Sequence, residues 1–142
     1  RNDPIAQNLR RIGVAAVMNR SFIEVEQTIS ADAVADLLTD TPQWIIIRND
    51  ESRKTLLPAS DLARYMEEDP TGEIDLMEIP GQRLELVGLH LQSTMHEAKE
   101  AIDGGGVDAG YVQRQIAPMT ERTYGVILRS DIEASYTLRR FA

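Results

Sequence analysis

Two serine–aspartate pairs stand at matching places in the chain, at residues 60–61 and 130–131. Each pair follows an apolar run and precedes apolar residues at helical spacing. Hydroxyl and carboxylate oxygens at such a position accept hydrogen bonds from the free amides of a helix start, and a carboxylate there complements the helix dipole. The pairs therefore predict two strand-to-helix junctions that gather polar oxygens in front of a helix.

A hairpin is predicted to lead into the first of these junctions. The apolar run 44–47 is largely β-branched, as in a buried strand, and the polar residues 49–52 form the turn. A second run, 55–57, completes the hairpin before Pro58, and residues 60–66 then place apolar side chains on one helical face. The pattern predicts strand, turn, strand and helix.

A further strand and helix are predicted ahead of each hairpin. In the first half these are residues 22–26, which partly alternate, and a helix that starts at Ser30. In the second half they are residues 84–89 and a helix that opens on Thr94 and Glu97, the pattern of a capping box. The order predicted for both halves is β-α-β-β-α.

The halves correspond along their length. Helical positions recur 64 residues later, whereas the serine–aspartate pairs are 70 apart, so the connection 115–123 is predicted to be longer than its counterpart. Residues 104–106, all glycine, are expected to end the helix of the second half, and Ser130 with Glu133 to form another capping box. We expect an α/β (α+β) fold whose two repeats pack through their sheets with pseudo-twofold symmetry.

Length and composition restrict the classes of protein. The 142 residues suffice for one compact domain or two small repeats, and the absence of cysteine excludes disulfides, thiolate catalysis and cysteine-ligated zinc. The net charge of −8 argues against a nucleic-acid-binding protein, which requires a basic surface. No apolar run approaches the roughly 20 residues that span a bilayer.

The beginning of the chain predicts a connecting helix. Asp3 and Pro4 suit an N-cap and a first helical residue, and the helix is expected to end near Gly13. The chain opens on Arg1 without a visible signal peptide, so we expect it to be cut from a longer protein. The predicted organisation is a connecting helix at 1–13, repeats at 14–69 and 81–138, a linker at 70–80 and a tail at 139–142.

In this order and spacing the chain resembles a tandem pair of cystathionine-β-synthase-type (CBS) domains, a paired regulatory module. The resemblance covers about Val14 to Tyr136. It is carried by Val17-Met18, Ser30 to Leu38, Ile45-Ile46-Ile47 and the junctions at Asp61 and Asp131. The opening, from residues 1–4 through 13–18, is similar to the segment that joins a bacterial CLC-type chloride channel or transporter to its cytoplasmic CBS pair.

The resemblance implies a possible adenine-nucleotide site at each junction. In nucleotide-binding CBS pairs the junction usually reads Gly, two apolar residues, Thr or Ser, two variable residues and Asp. The aspartate accepts hydrogen bonds from both ribose hydroxyls, and the hydroxyl residue helps to hold a phosphate at the helix start. Here Pro58 and Leu128 take the hydroxyl position, and only the second junction keeps its glycine, Gly125.

Neighbouring side chains offer a substitute for the missing hydroxyl groups. Ser60 and Ser130 stand two residues further on, and Arg129 could meet a phosphate. The simpler interpretation is that each serine–aspartate pair only caps its helix. The candidate ligand-binding residues are Pro58, Ser60, Asp61, Leu128, Arg129, Ser130 and Asp131.

Other residue patterns point to structure rather than to catalysis. His90 and His96 lack a compact metal-ligand pattern, and the glycines at 104–106 follow a helix and lack the lysine of a phosphate loop. Without a nucleophile–base pair, a metal cluster or a cofactor loop, we predict no catalytic or metal-binding residue and expect no enzyme.

The resemblance implies a non-catalytic module on the cytoplasmic face of the cell membrane. It would control an attached chloride channel or transporter through ligand- or partner-dependent packing of its halves. ATP, ADP or AMP are the candidate ligands, without an obligatory cofactor, and the expected partners are a second copy in a homodimer and the membrane transport domain, not nucleic acid. Two alternatives stay open: a constitutive assembly domain that binds no small molecule, and a nucleotide-sensing module of a different transporter or enzyme.

Overall fold

The computed structural model describes residues 9–141, except for the side chains of residues 51 and 136–141. Residues 9–11 are helical, and the predicted helix start at Asp3 and Pro4 lies outside the described residues. The longer elements follow in chain order: β1 (Phe22–Glu26), β2 (Thr28–Ser30), α1 (Ala31–Leu38), β3 (Trp44–Arg48), β4 (Lys54–Pro58), α2 (Ala59–Met66), β5 (Glu73–Asp75), β6 (Leu84–His90), α3 (Met95–Gly105), β7 (Ala109–Ala117), β8 (Thr120–Leu128) and α4 (Arg129–Phe141).

Both halves have the same strand topology. In the first half β1 pairs in parallel with β3, and β3 pairs antiparallel with β4. In the second half β6 pairs in parallel with β7, and β7 pairs antiparallel with β8. A helix, α1 or α3, joins the two parallel strands, and the last strand runs directly into α2 or α4. The predicted order β-α-β-β-α is therefore confirmed in both halves, whereas their packing through the sheets stays a prediction.

The chain divides into two compact units. The first unit is Ser21–Glu85, and the second combines residues 9–20 with residues 86–141 of the described chain. This division differs from the predicted organisation, because residues 14–20 belong with the second repeat and the linker 70–80 lies inside the first unit.

A segment that precedes the other repeat completes each unit. In the first unit the linker strand β5 pairs antiparallel with β2, and the Ala31 amide donates to the Gly72 carbonyl at 2.8 Å. In the second unit the Met95 amide donates to the Ile12 carbonyl, also at 2.8 Å. The crossover helices α1 and α3, which join the parallel strands, thus each start against a strand-like segment from outside their own repeat. This explains why the units and the predicted repeats have different boundaries.

Each unit has its own apolar core. Branched aliphatic residues that are fully buried, or nearly so, dominate both cores, and each such side chain stabilises the fold by about 1.5–3 kcal/mol relative to exposure. The core of the first unit includes Val25, Val34, Ile45, Ile47, Leu57, Leu62, Ile74 and Leu76. The core of the second unit includes Leu9, Val14, Leu89, Met95, Ala98, Ile102, Val112, Ile127 and Ile132.

The starts of the crossover helices confirm the predicted caps. The Ser30 hydroxyl accepts a hydrogen bond from the Ala33 amide at 3.2 Å, and Thr94 with Glu97 forms a complete capping box. Gly106 follows the last residue of α3 as its C-cap in the left-handed conformation with φ +64°, as the run of glycines predicts. These short-range signals describe both helix starts correctly.

The predicted longer connection at 115–123 consists of extended hairpin strands. β7 and β8 reach Ala117 and Thr120, and Pro118 with Met119 forms the turn between them. Most side chains of this extension are exposed, and that of Met119 is 99% exposed. The connection is thus longer than its counterpart, as predicted, but the sequence did not show that it is made of strands, because strands without a buried face leave little hydrophobic periodicity.

Candidate functional site

The first junction begins where β4 passes directly into α2. Pro58 occupies the N-cap position, and its side chain makes no capping hydrogen bond. Ser60 is already the second residue of the helix and is exposed, so the predicted helix start at Ser60 comes one residue late. Asp61 is the third residue, where a carboxylate can usually accept from the N-cap amide. Proline has no N–H, so Asp61 cannot make that bond.

The Asp61 carboxylate is instead held by two donors within its own unit. Its Oδ1 accepts from Arg64 Nη1 at 2.9 Å, and its Oδ2 accepts from the Gln82 amide at 3.1 Å. The side chain is only 13% exposed. Gly81 has φ +144°, and a Cβ at that position would lie 2.7 Å from Asp61 Oδ2. Asp61 therefore holds the segment at Gly81 and Gln82, which lies between the two repeats, against the start of α2.

The second junction has a different hydrogen-bond pattern. The Leu128 amide donates to Asp131 Oδ2 at 2.8 Å, because Leu128, unlike Pro58, carries an N–H. α4 begins at Arg129, so Ser130 lies inside the first turn and is exposed. The predicted capping box of Ser130 and Glu133 is therefore wrong, and Asp131 supplies the carboxylate that caps this helix.

Arg129 is engaged by three groups of its own unit. Its guanidinium donates to Asp103, to Asp108 Oδ1 at 3.2 Å and to the Val107 carbonyl at 2.9 Å. The hydrogen bond to Asp103 is the main cause that raises the pKa of Arg129, while Lys99 and then Arg129 lower the pKa of Asp103. Arg129 joins the end of α3 to the start of α4, so a phosphate would have to compete with these carboxylates.

A cavity of about 350 Å³ opens beside the first junction. Ala59, Ser60 and Ala63 contribute from α2, and its other wall precedes β3. Most of the lining is apolar, and the Ser60 side chain brings a hydroxyl group to it. The residues that line the cavity are Leu38, Thr41, Pro42, Gln43, Ala59, Ser60 and Ala63.

Sequence reasoning missed the wall formed by Thr41, Pro42 and Gln43. The Thr41-Pro42 step predicts only the end of a helix. The sequence carries no signal for this wall, because it depends on a contact of the folded chain: the Ala59 amide donates to the Gln43 carbonyl at 3.1 Å and so holds this loop against the start of α2. Thr41 also has a positive φ of +48°, which is uncommon for a residue other than glycine.

The remaining candidates take part in ordinary surface contacts. His96 Nε2 lies 2.7 Å from Glu100 Oε1 one helical turn away, and the His90 ring accepts a hydrogen bond from the Gln92 amide at 3.0 Å. Within the described residues no group of three or more histidine, aspartate and glutamate side chains is placed to hold a metal ion. In the same part of the chain, no helix combines the length and the hydropathy needed to cross a bilayer.

Comparison with solved structures places this architecture in a known fold. A CBS domain from Clostridium difficile 630 superposes with a TM-score of 0.58 at 14% identity, covering 93% of this chain and 98% of that one. The CBS domain of the bacterial CNNM/CorC family Mg²⁺ transporter, solved with ATP, gives 0.55 at 13% identity over 94% and 93%. A CBS domain pair solved with 5′-methylthioadenosine and S-adenosyl-L-methionine gives 0.51 at 13% identity over 89% and 97%.

The chain has the fold of a CBS domain pair. This confirms the predicted fold class, and the likeness concerns fold alone because the sequences are so different. No model of a known protein family matches the chain, and no curated protein matches its sequence. Two of the structural neighbours carry adenosine-containing ligands, ATP in one and S-adenosyl-L-methionine with 5′-methylthioadenosine in the other.

Proposed function

We propose that this chain is a regulatory module that binds an adenine nucleotide and controls an attached transport domain. The observation that carries the proposal is the repeated strand-to-helix junction of a CBS-pair fold with an open, largely apolar cavity beside the first junction. An apolar cavity suits the face of an adenine ring, and a helix N-terminus suits a phosphate. Structural neighbours that hold adenosine-containing ligands support the proposal.

Within this site Ser60 and Asp61 have distinct roles. Ser60 lines the cavity and offers its hydroxyl to a ribose or a phosphate. Asp61 lies one residue further on and already accepts from Arg64 and from the Gln82 amide. A carboxylate has about four acceptor sites, so a ribose hydroxyl could still donate to it. A nucleotide that competed for Asp61 would loosen the chain at Gln82, which connects ligand binding to the segment between the repeats.

Titration calorimetry with ATP, ADP and AMP tests the proposal. We expect heat with at least one of these nucleotides, and we expect Ser60→Ala to weaken binding without lowering the melting temperature, because Ser60 is exposed. Ser130→Ala is the matched control at the second junction. Absence of both heat and a melting shift at millimolar nucleotide would contradict nucleotide binding.

Specific contacts favour a second candidate function, a constitutive assembly domain. Both aspartate carboxylates and the Arg129 guanidinium already have partners inside the chain. Pro58 and Leu128 also lack the hydroxyl that the resemblance calls for. Sedimentation across a concentration series distinguishes the two: a homodimer unaffected by nucleotide supports assembly, whereas a nucleotide-dependent change supports sensing.

The transport domain is proposed to carry chloride, on the resemblance of the first 18 residues to the segment that enters a CBS pair from a CLC-type channel or transporter. The module would then sit on the cytoplasmic face of the membrane. The fold itself is shared with the CBS domain of an Mg²⁺ transporter, which makes that cation the competing cargo. Flux assays of the parent protein in vesicles, with chloride and with Mg²⁺, decide between the two.

A further inference from the structure

The hairpin of β7 and β8 ends in an exposed apolar tip. Residues 114–122 are all exposed, and Pro118 with Met119 forms the turn between the strands. Met119 is 99% exposed, and Ile116, two residues before Pro118, is 54% exposed. Among the described residues, these two are the large apolar side chains that stay exposed. Because they lie together at the end of one hairpin, the tip is a candidate surface for contact with a partner.

The turn itself does not account for a methionine at position 119. The φ of Met119 is +59°, in the left-handed region that glycine and asparagine adopt more readily than methionine. A side chain that is almost fully exposed also gains no stabilisation from burial within its own chain. Burial of Met119 against another apolar material would offset both costs, so the residue indicates an apolar partner.

The corresponding hairpin of the first unit has no such tip. β3 and β4 are joined by the short 3-10 helix Asp50–Ser52, which Asn49 and Arg53 flank, and all of these residues are polar. β7 and β8 have nine residues each, against five each in β3 and β4. The strand topology that both units share therefore does not require the longer hairpin or its apolar end.

Two exposed arginines lie behind the tip on one face of the hairpin. Arg114 pairs directly with Arg122 across the strands, and Gln115 pairs with Glu121. Opposed residues share a face and successive residues alternate, so Glu121 lies on the face opposite to the arginines. The Arg122 guanidinium lies 5.5 Å from the centroid of the Tyr124 ring. Opposed like charges are unfavourable, so this face favours an anionic partner even though the chain has a net charge of −8.

The distance from the tip to the arginines fits the surface of a lipid bilayer. A strand advances by about 3.3 Å per residue, so Arg122 lies roughly 10 Å behind Met119. The headgroup layer on each side of a bilayer is roughly 5–8 Å thick. When Met119 reaches the hydrocarbon, both arginines therefore lie just above the headgroups, where their long side chains can extend to lipid phosphates.

The small area of the tip favours lipid over a protein partner. A stable protein interface takes roughly 20–30 residues from each partner. The exposed range 114–122 is far shorter, and its apolar residues are confined to 116–119. The hydrophobic effect is non-directional, so hydrocarbon chains can cover a narrow tip without a matching surface.

We propose that the β7–β8 hairpin docks on a lipid surface that contains anionic phospholipids. Met119 and Ile116 enter the edge of the hydrocarbon, and Arg114 and Arg122 bind lipid phosphates. The contact is weak and reversible, because few residues make it. It adds a membrane contact to the proposed regulatory module and requires neither a nucleotide nor an attached transport domain.

Flotation of the chain with vesicles, without nucleotide, tests the proposal. We expect binding to vesicles of phosphatidylcholine with phosphatidylglycerol, and less binding at high salt or without phosphatidylglycerol. Met119→Asn should weaken binding about tenfold, the effect of one such buried side chain, without lowering the melting temperature, because asparagine suits the left-handed backbone. Met119→Leu should still bind. Equal binding by Met119→Asn and the unsubstituted chain, or no binding at millimolar lipid, would overturn the proposal.

The arginines are tested separately with the same vesicles. Arg114→Gln and Arg122→Gln should each weaken binding about fivefold, the effect of one cationic side chain near an anionic surface. Arg53→Gln is the matched control, because Arg53 is an exposed arginine at the hairpin of the first unit. It should leave binding unchanged. An equal loss with Arg53→Gln would show general charge attraction and would refute docking through the tip.

Met119→Trp measures the depth of the tip in the bilayer. The unsubstituted chain, with Trp44 as its single tryptophan, gives the reference emission. We expect anionic vesicles to shift the emission of the added tryptophan to shorter wavelength, and lipids brominated on their acyl chains to quench it. The absence of both changes would rule out insertion. Self-association without lipid that Met119→Asn abolished, measured by sedimentation, would assign the tip to a second copy of the chain instead.

Discussion

At the first junction Pro58 stands where the second junction has Leu128, and this difference decides what the following aspartate can do. The Leu128 amide donates a hydrogen bond to Asp131, so the carboxylate of the second junction caps its own helix. Pro58 has none, so Asp61 reaches Gln82 and Arg64 instead. The same residue at the same place in the fold thus caps a helix in one unit and anchors a connecting segment in the other.

The neighbouring strands differ in a related way. Thr55 in β4 and Gly125 in β8 hold equivalent places, since they pair with Ile47 and Val112 respectively. Thr55 is buried and its hydroxyl donates to Asn49 Oδ1 at 2.5 Å. A Cβ at Gly125 would meet the backbone of the segment that crosses β8. The two units therefore share their strand topology and their pattern of apolar residues. They differ at this position because a different part of the chain contacts each strand there.

The largest expected effect comes from giving the second unit a side chain at Gly125. A Cβ there would lie 2.7 Å from Met18 Cγ and 2.9 Å from the Asn19 carbonyl oxygen, and the backbone oxygen cannot move aside easily. We expect Gly125→Val to lower the free energy of unfolding by about 3 kcal/mol, measured by urea denaturation. Thr55→Val, its counterpart in the first unit, should cost only about 1 kcal/mol, for one lost hydrogen bond. Equal losses would mean that the two strands have equivalent surroundings.

The second expected effect concerns Glu24 of β1, whose carboxylate accepts hydrogen bonds from Arg48 of β3 and Lys54 of β4. Glu24→Ala leaves Arg48 and Lys54 without their shared carboxylate in a mostly buried place, so we expect a loss of about 2 kcal/mol. Glu26→Ala removes a carboxylate that is 69% exposed and should cost less than about 0.5 kcal/mol. Urea denaturation of both variants checks the ranking, and a larger loss for Glu26→Ala would reverse it.

The third effect concerns the two aspartates. Asp131→Ala removes an oxygen that accepts the Leu128 amide and should cost about 1 kcal/mol, with faster hydrogen exchange at Leu128. Asp61→Ala should instead speed exchange at the Gln82 amide, because this amide loses its acceptor. Amide exchange measured residue by residue distinguishes these patterns. Faster exchange at the same elements in both variants would contradict the different roles assigned to the two carboxylates.

The parts of the fold that could be predicted from the sequence are those set by local patterns. The apolar runs predict the core strands, and Ser30 and Thr94 predict their helix starts. The exchange of segments between the repeats could not be predicted, because hydrogen bonds such as that from Met95 to Ile12 join residues far apart in the sequence. Gly125 carried a signal only through the resemblance, and its physical role depends on the segment that crosses β8.

The candidate site could be predicted only in part. The spacing of the serine–aspartate pairs correctly predicted two strand-to-helix junctions. It did not indicate that Arg129 is held by Asp103 and Asp108, since those contacts need the folded positions of two helices.

The smallest expected effect is a difference in acid sensitivity between α3 and α1. The Thr94 amide, which donates to Glu97, is the main cause that lowers the pKa of Glu97 below its ordinary value of 4.5. A carboxyl whose pKa is lower in the folded protein stabilises the fold above its unfolded pKa, and this stabilisation is lost as the pH falls through the folded value. In α1 the corresponding residue is Ala33, so the start of that helix has no carboxylate at this position.

We therefore expect Glu97→Gln to lower the urea midpoint at neutral pH and to reduce the loss of stability between neutral pH and pH values well below 4.5. Amide exchange should locate the acid-sensitive part of the change at the start of α3, while the start of α1 keeps its protection. Ala33→Glu would give Ser30 the reciprocal partner that Thr94 has, and should introduce the same acid sensitivity into the first unit. If Glu97→Gln and the unsubstituted protein lost stability equally on acidification, the capping carboxylate would not be what distinguishes these two helix starts.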